Sequence, residues 1–271
     1  VNTNYKCHNC GVSLSLNNFL KQIDPVLHKQ YTMEKFKDGF TGKGFVVEEP
    51  KLEFKKPVFK KKLDLPRASE VPAAKSYLEN RKVDSTKFYY ASKFKAWVNT
   101  HKKTFDYIKK DESRIIIPMY DTESNLIGFQ GRSLVPNSVK YITVMLNEEA
   151  PKVYGLDKIN KGEIVYVVEG PFDSTFVSNS VAMCGSDSSL ACLEGSSIVY
   201  VYDNEPRNKE IVGRIDKCIR RGDRVIIWPT IIGDKDINDM VLSGHDIMSV
   251  LKSNTYSGLE AQIKFNNWKK V

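Results

Sequence analysis

Apolar residues in this chain fall into short, β-branched runs that end in turns. The clearest is residues 164–168, IVYVV, which stops at the acidic turn Glu169-Gly170-Pro171-Phe172-Asp173. About thirty residues on, the pattern returns as SIVYVYDNE, and residues 224–228, RVIIW, repeat it a third time before Gly233-Asp234-Lys235-Asp236-Ile237-Asn238-Asp239. Four to eight consecutive apolar residues followed by a turn and a helix predict a parallel strand buried on both faces of an α/β sheet. Upstream, residues 115–120 and 126–132 predict a strand, turn, strand unit, followed by shorter runs at 140–143 and 153–156. Helices are predicted over 73–82, over two N-terminal stretches broken at Pro25 (the first capped by Ser or Asn), and over two pieces of 245–271.

In an open α/β sheet, ligands bind outside the carboxyl ends of the strands. Glu169, Asp173, Asp203 and Glu205 are therefore expected at one edge, joined there by Asp236 and Asp239. Each alone fits a helix cap equally well. Three acidic strand ends in succession are harder to explain as capping. Uncompensated carboxylates this close raise one another's pKa, so a divalent cation is the expected neutraliser, and all-oxygen donors favour Mg²⁺ or Mn²⁺.

The 271 residues carry a formal net charge of +8, with 41% hydrophobic and 27% charged residues, which suits a globular chain with a polyanionic partner. No run of eighteen apolar residues and no charged leader is present, so the expectation is a cytoplasmic protein without a membrane span. The five cysteines, an odd number, fit reduced thiols better than a disulfide framework. Cys184, Cys192 and Cys218 read as small packing residues. Cys7-His8-Asn9-Cys10-Gly11 is a knuckle that supplies two thiolates to a structural Zn²⁺. No second C-x-x-C follows, and the sequence starts at Val1. The expectation is a partial zinc ribbon, its first knuckle encoded or started elsewhere.

Residues 50–72 hold four prolines and no sustained period, and from 51 to 72 there are seven Lys or Arg against three Asp or Glu. That composition predicts a basic tether. Beyond it, STKFYYASKFKAWVNTHKKTFDYIKK interleaves aromatics with lysines. Stacking on bases and packing in a core are both open, and core packing is preferred for most of the aromatics. In GFQGR, Gly131 would let a polyanion approach the backbone, and Arg132 offers a planar fork for phosphate.

Glu169 and Asp173, a strand ending in a variant of D-x-D (Asp203-Asn204-Glu205), and a third acidic turn together resemble the Toprim domain of primases, topoisomerases and some nucleases. Glu205 stands where many members have Asp. The order R-I-x-x-P, G-F-x-G-R, K-Y, Y-G-L ahead of those motifs resembles the catalytic core of DnaG-type primases. Across nearly the whole chain, through EGPFDS, DNEPR, KDINDM and the terminal WKK, it is similar to the primases of T-even type bacteriophages.

The resemblance implies an α/β fold: a Toprim-type parallel-sheet domain preceded by a smaller α+β basic subdomain and a partial zinc ribbon. It divides the chain into a zinc-binding piece (1–49), a linker (50–72), the N-terminal subdomain of an RNA polymerase core (73–157), the Toprim domain (158–243) and C-terminal helices (244–271). It implies two-metal nucleotidyl transfer that makes short RNA primers on single-stranded DNA from ribonucleoside triphosphates. Asp203 and Glu205 would bind Mg²⁺, Asp236 and Asp239 would assist, and Glu169 would join the metals or act as acid or base, supported by Asp173. Arg132 and Lys140, with Arg114 as a weaker candidate, would hold nucleotide or nucleic acid. Cys7 and Cys10 would hold Zn²⁺. The implied partners are a separate hexameric helicase and a single-strand binding protein in an infected bacterial cell; no G-x-x-x-x-G-K-[ST] phosphate loop is present to drive a motor. The competing readings are a Toprim nuclease and a non-enzymatic recombination mediator.

Overall fold

The computed structural model describes residues 4–7, 12–38, 40–41, 45–46, 63–185 and 190–271. The chain divides into two compact units, residues 1–57 and 58–271. In the first, β1 (Asn4–Lys6) pairs antiparallel with β2 (Ser13–Ser15), and α1 (Leu16–Ile23) and α2 (Pro25–Lys37) follow. The Ser15 hydroxyl caps α1, while Asp24 Oδ1 accepts from the Val26 and Leu27 amides and starts α2 with Pro25 in its first turn. This is the predicted break. A two-residue pair, β3 (Phe40–Thr41) with β4 (Phe45–Val46), completes the unit. Cys7 is partly exposed, and Cys10 lies outside the described residues.

The second unit opens on α3 (Pro72–Glu79), then alternates β5 (Tyr89–Ala91), α4 (Phe94–His101), β6 (Arg114–Tyr120), β7 (Leu126–Ser133) and β8 (Tyr141–Met145). These four strands form an antiparallel sheet in the order β5-β6-β7-β8. Residues 63–70, assigned to the tether by composition, pack against it. Leu63 and Ala68 are buried, and Arg67 bridges to Tyr89, because apolar side chains within a proline-rich segment still find the subdomain's surface. Phe88 and Phe94 are fully buried and Tyr89, Tyr90, Trp97 and Phe105 pack partly buried against the core, whereas Tyr107 is exposed, so the aromatic segment is largely core.

A second sheet runs β14-β13-β12-β10-β11-β9, built from β9 (Val153–Tyr154), β10 (Ile164–Val168), β11 (Ser180–Met183), β12 (Ser197–Val201), β13 (Arg224–Ile226) and β14 (Thr255–Tyr256). Its centre is parallel and its two short edges are antiparallel. The helices are α5 (Pro171–Ser174), α6 (Lys209–Arg221), α7 (Ile237–Leu242), α8 (Ile247–Ser253) and α9 (Gly258–Trp268). α6 buries Ile211, Ile215, Cys218 and Ile219 at helical spacing and ends at Gly222, whose φ of 82° closes the C-terminal turn. One continuous core joins the two sheets: Ile115, Ile117 and Met119 share it with Val168 and Phe172, and Phe88 meets the Phe172 ring edge-on at 5.3 Å. Cys184 and Cys218 are buried within it. The α/β class and the sheet of parallel strands are as the sequence predicts. Among the described residues no helix is long and apolar enough to cross a membrane.

Candidate active site

Three of the parallel strands lead into acidic residues. Glu169 directly follows β10, Asp203 lies two residues beyond β12, and Asp236 sits in the loop after β13, where it caps α7 by accepting from the Asp239 amide at 2.8 Å. Asp173 occupies the short α5, and its Oδ1 accepts from the Asn238 amide at 3.1 Å. A Cβ at Gly170 would fall 2.4 Å from Asp173 Oδ2, so a larger residue here would displace that carboxylate. These four carboxylates line one cavity of about 180 Å³.

The opposite wall comes from the antiparallel sheet. Side chains alternate across a strand, so Gln130 and Arg132 of β7 share a face, and the register places Thr143 and Tyr141 of β8 beside them. Arg132 and Lys140 line the cavity, with Arg81 from the turn after α3. Tyr141 stacks under Arg132, 4.8 Å from the guanidinium carbon. Gln130 Nε2 donates to Thr143 Oγ1 at 3.0 Å, and that hydroxyl donates to the Cys184 carbonyl at 2.9 Å, which ties the wall to the end of β11.

Electrostatics make this a site short of cations. Burial, then the charges of Glu169, Asp173 and Asp236, pushes Asp203 up to about 8. Burial, then the Asp236 charge, pushes Asp173 up to about 7, against the Asn238 amide and Arg81, which pull the other way. Glu169 is raised by burial despite Arg214 4.0 Å away and a bond from the Asp203 backbone, and its Oε1 is buried with no hydrogen-bond partner. Among the described residues no three His, Cys, Asp or Glu side chains close on a single point. The carboxylates instead line a cavity shared with Arg81, Arg132 and Lys140, and an all-oxygen donor set would suit Mg²⁺ or Mn²⁺.

The remaining predicted residues are placed differently. Glu205 is already spent: Oε1 pairs with Lys235 at 2.8 Å and Oε2 accepts from Asn208 at 2.9 Å, so the hydrogen bond to Lys235, first of all, holds it below the usual carboxylate range. Asp239 is exposed at the start of α7, outside the cavity lining. Arg114 is not at the cavity either. It is 1% exposed, paired with Glu112, donates to the Gly131 carbonyl at 2.8 Å and lies over Phe94, because β6 carries it into the subdomain core. Gly131 is glycine for the same packing: a Cβ would fall 2.5 Å from the Phe94 ring, so the tight approach is to an aromatic and not to a polyanion. Sequence reasoning missed Arg81, Asn238, Arg214 and Lys235. Arg81 is one of 41 Lys and Arg, and only the fold brings it 157 positions along the chain to Asn238.

The two-sheet α/β fold that carries these carboxylates and their cationic wall is that of DnaG-type primase catalytic cores, as the comparisons show. No family model matches the sequence. It is 32% identical over 290 aligned residues to the DNA primase of Enterobacteria phage T4, taking in 99% of this chain and 82% of that protein. In fold it is similar to the RNA polymerase domain of Mycobacterium tuberculosis primase DnaG (TM-score 0.55, 19% identity, 70% of this chain and 80% of that one). It is also similar to Aquifex aeolicus primase in its zinc-binding and RNA polymerase domains (TM-score 0.53, 18% identity, 93% and 74%). The chain belongs to the DNA primase family.

Proposed function

We propose that this chain synthesises short RNA primers on single-stranded DNA by transferring nucleotidyl groups from ribonucleoside triphosphates. The observation that carries the reading is the single cavity in which Glu169, Asp173, Asp203 and Asp236 face Arg81, Arg132 and Lys140. Carboxylates opposite cations are what a polyanionic triphosphate and its accompanying cation require.

Asp203, Glu169 and Asp236 would hold Mg²⁺ or Mn²⁺, with Asp173 behind them. The chemistry supplied there would be a lowered pKa for a primer 3′ hydroxyl and neutralised charge on the departing pyrophosphate. Arg132, beside the Tyr141 ring, and Lys140 orient the phosphates, and Arg81 keeps Asp173 oriented through Asn238. Glu169, raised by burial against the pull of Arg214, suits proton transfer as well as ligation. Glu205 joins only after exchanging Lys235. In the N-terminal unit, Cys7 and Cys10 would supply half of a tetrahedral zinc site that two further ligands complete. A hexameric helicase and a single-strand binding protein are the partners this activity calls for, in the cytoplasm of an infected bacterium.

The test is incorporation of labelled ribonucleotides on single-stranded DNA with Mg²⁺ or Mn²⁺. Short RNA products are expected. Cleavage of the template without synthesis would make the chain a Toprim nuclease, and DNA binding with neither reaction would make it a recombination mediator.

A further inference from the structure

Asp203 and Asp236 repel each other from segments with no regular structure: residues 202–206 leave β12 as coil, and residues 227–236 form a loop between β13 and α7. Something must hold these two segments in register. Trp228 Nε1 donates to the Tyr202 carbonyl at 2.8 Å and Lys235 pairs with Glu205, but the most connected residue is Asn204, between the two acidic positions of the middle motif. Its backbone N–H donates to the Lys235 carbonyl at 2.7 Å, and its Nδ2 donates to the carbonyls of Ile232 and Asp234, each at 3.0 Å. Both side-chain donors are used within the third acidic loop.

The acceptor is used as well. Asn204 Oδ1 accepts from Trp268 Nε1 at 2.9 Å, across 64 positions of sequence. Trp268 is 5% exposed and lies on the inner face of α9 with Ala261 and Phe265, three and four residues apart as a helix face demands. Two residues further on, the Lys270 N–H donates to the Pro206 carbonyl at 2.8 Å, a second tie from the same C-terminal segment to the same coil. An indole N–H only donates and an amide oxygen only accepts, so this bond fixes which way the Asn204 amide points. Reversed, the amide would set its oxygen against the carbonyls of Ile232 and Asp234 and its NH₂ against the indole N–H. An aspartate at 204 would do half of that harm and add a fifth negative charge.

We propose that Asn204 and Trp268 are positioning residues for the metal carboxylates, the C-terminal helix acting as the clamp that sets Asp203 against Asp236. Neither lines the cavity, so they act through the loops and not on substrate. The inference rests on the proposed primer synthesis for its catalytic meaning, but cation binding tests it independently. Partners that orient ligands in this way are worth about 10–100-fold in metal affinity when removed.

The experiment measures Mn²⁺ binding to the full chain by the loss of free-ion paramagnetic resonance signal, together with the melting temperature. The variants are Trp268→Phe, which keeps the ring and deletes the N–H, and Lys270→Pro, read against Lys270→Ala so that the lost ammonium charge cancels, which deletes a backbone N–H after a residue whose extended backbone tolerates a following proline. Both are expected to weaken Mn²⁺ binding, by about tenfold for Trp268→Phe, and to raise the Mg²⁺ needed for half-maximal primer synthesis by the same factor, with template binding unchanged. Should Trp268→Phe lose its fold, Lys270→Pro decides alone. Wild-type Mn²⁺ affinity in folded variants, whatever their melting temperature, would reduce the clamp to ordinary packing and overturn the proposal. Weakened Mn²⁺ binding in a protein that incorporates no ribonucleotide would leave the clamp standing and remove the primase reading.

Discussion

Replacing Asp203 by Asn should make the metal-free protein more stable while abolishing its chemistry. Without a cation, Asp203 holds its proton up to about pH 8, against an ordinary value of 3.8. Below about pH 4 both folded and unfolded chains are protonated there and the residue is neutral to stability. As pH rises from 4 toward 8 the unfolded chain gives up the proton and the folded one does not, so the fold loses stability through that window and levels off above it. Against fixed neighbours the loss would be about 6 kcal/mol at pH 8. The coupled carboxylates share protons and relax, so about 2 kcal/mol, roughly a third of that ceiling, is taken as the order of magnitude for this side chain. Asparagine carries no charge at any of these pH values. In EDTA at pH 8, Asp203→Asn should therefore melt about 4–8 °C above the wild type, the gap narrowing by pH 5. Saturating Mg²⁺ should reverse the order, since it stabilises only the chain that binds it. The assay is differential scanning calorimetry at pH 5 and pH 8, with and without Mg²⁺. A variant less stable than the wild type in EDTA at pH 8 would show that Asp203 is a satisfied structural carboxylate and refute the reasoning.

Three further substitutions probe the walls. Asn238→Ala removes a buried amide that bonds the Arg81 carbonyl at 2.7 Å and its guanidinium at 3.0 Å, and should cost about 2 kcal/mol, read as a lowered urea midpoint at unchanged slope. Gly131→Ala drives a methyl into the Phe94 ring and should destabilise by about 1–3 kcal/mol in the same titration, although the backbone there needs no special conformation. Arg132→Ala should raise the ribonucleotide KM or the template Kd about 10–100-fold, the value of a charge-assisted bond, with the melting temperature little changed; equal KM and Kd would remove Arg132 from substrate binding.

The central strands were legible because they are buried on both faces. IVYVV, SIVYV and the start of RVIIW each read as β-branched runs that lead toward a carboxylate, directly after β10, two residues after β12 and through a longer loop after β13. The edge strands β9 and β14 are two residues each and carry no period to detect. Arg114 and Arg132 look alike in sequence, each a lone arginine flanking an apolar run. Their fates diverge because Arg114 packs on Phe94 with Glu112 for a counter-ion, while Arg132 faces the cavity over Tyr141. Glu205 shows the same boundary. Its charge and position in the motif were plain, but its pairing with Lys235 depends on a loop thirty residues away. Asn204 was passed over because its value lies wholly in partners at 232–235 and 268.

The most direct test of the account compares wild type with Asp203→Asn and Glu169→Gln in ribonucleotide incorporation and in single-stranded DNA binding, on the same template and at the same Mg²⁺ concentration. The account predicts that Asp203→Asn loses primer synthesis by about a thousandfold or more and Glu169→Gln by a large factor, while both bind template as the wild type does. Primer synthesis by Asp203→Asn at the wild-type rate would contradict it.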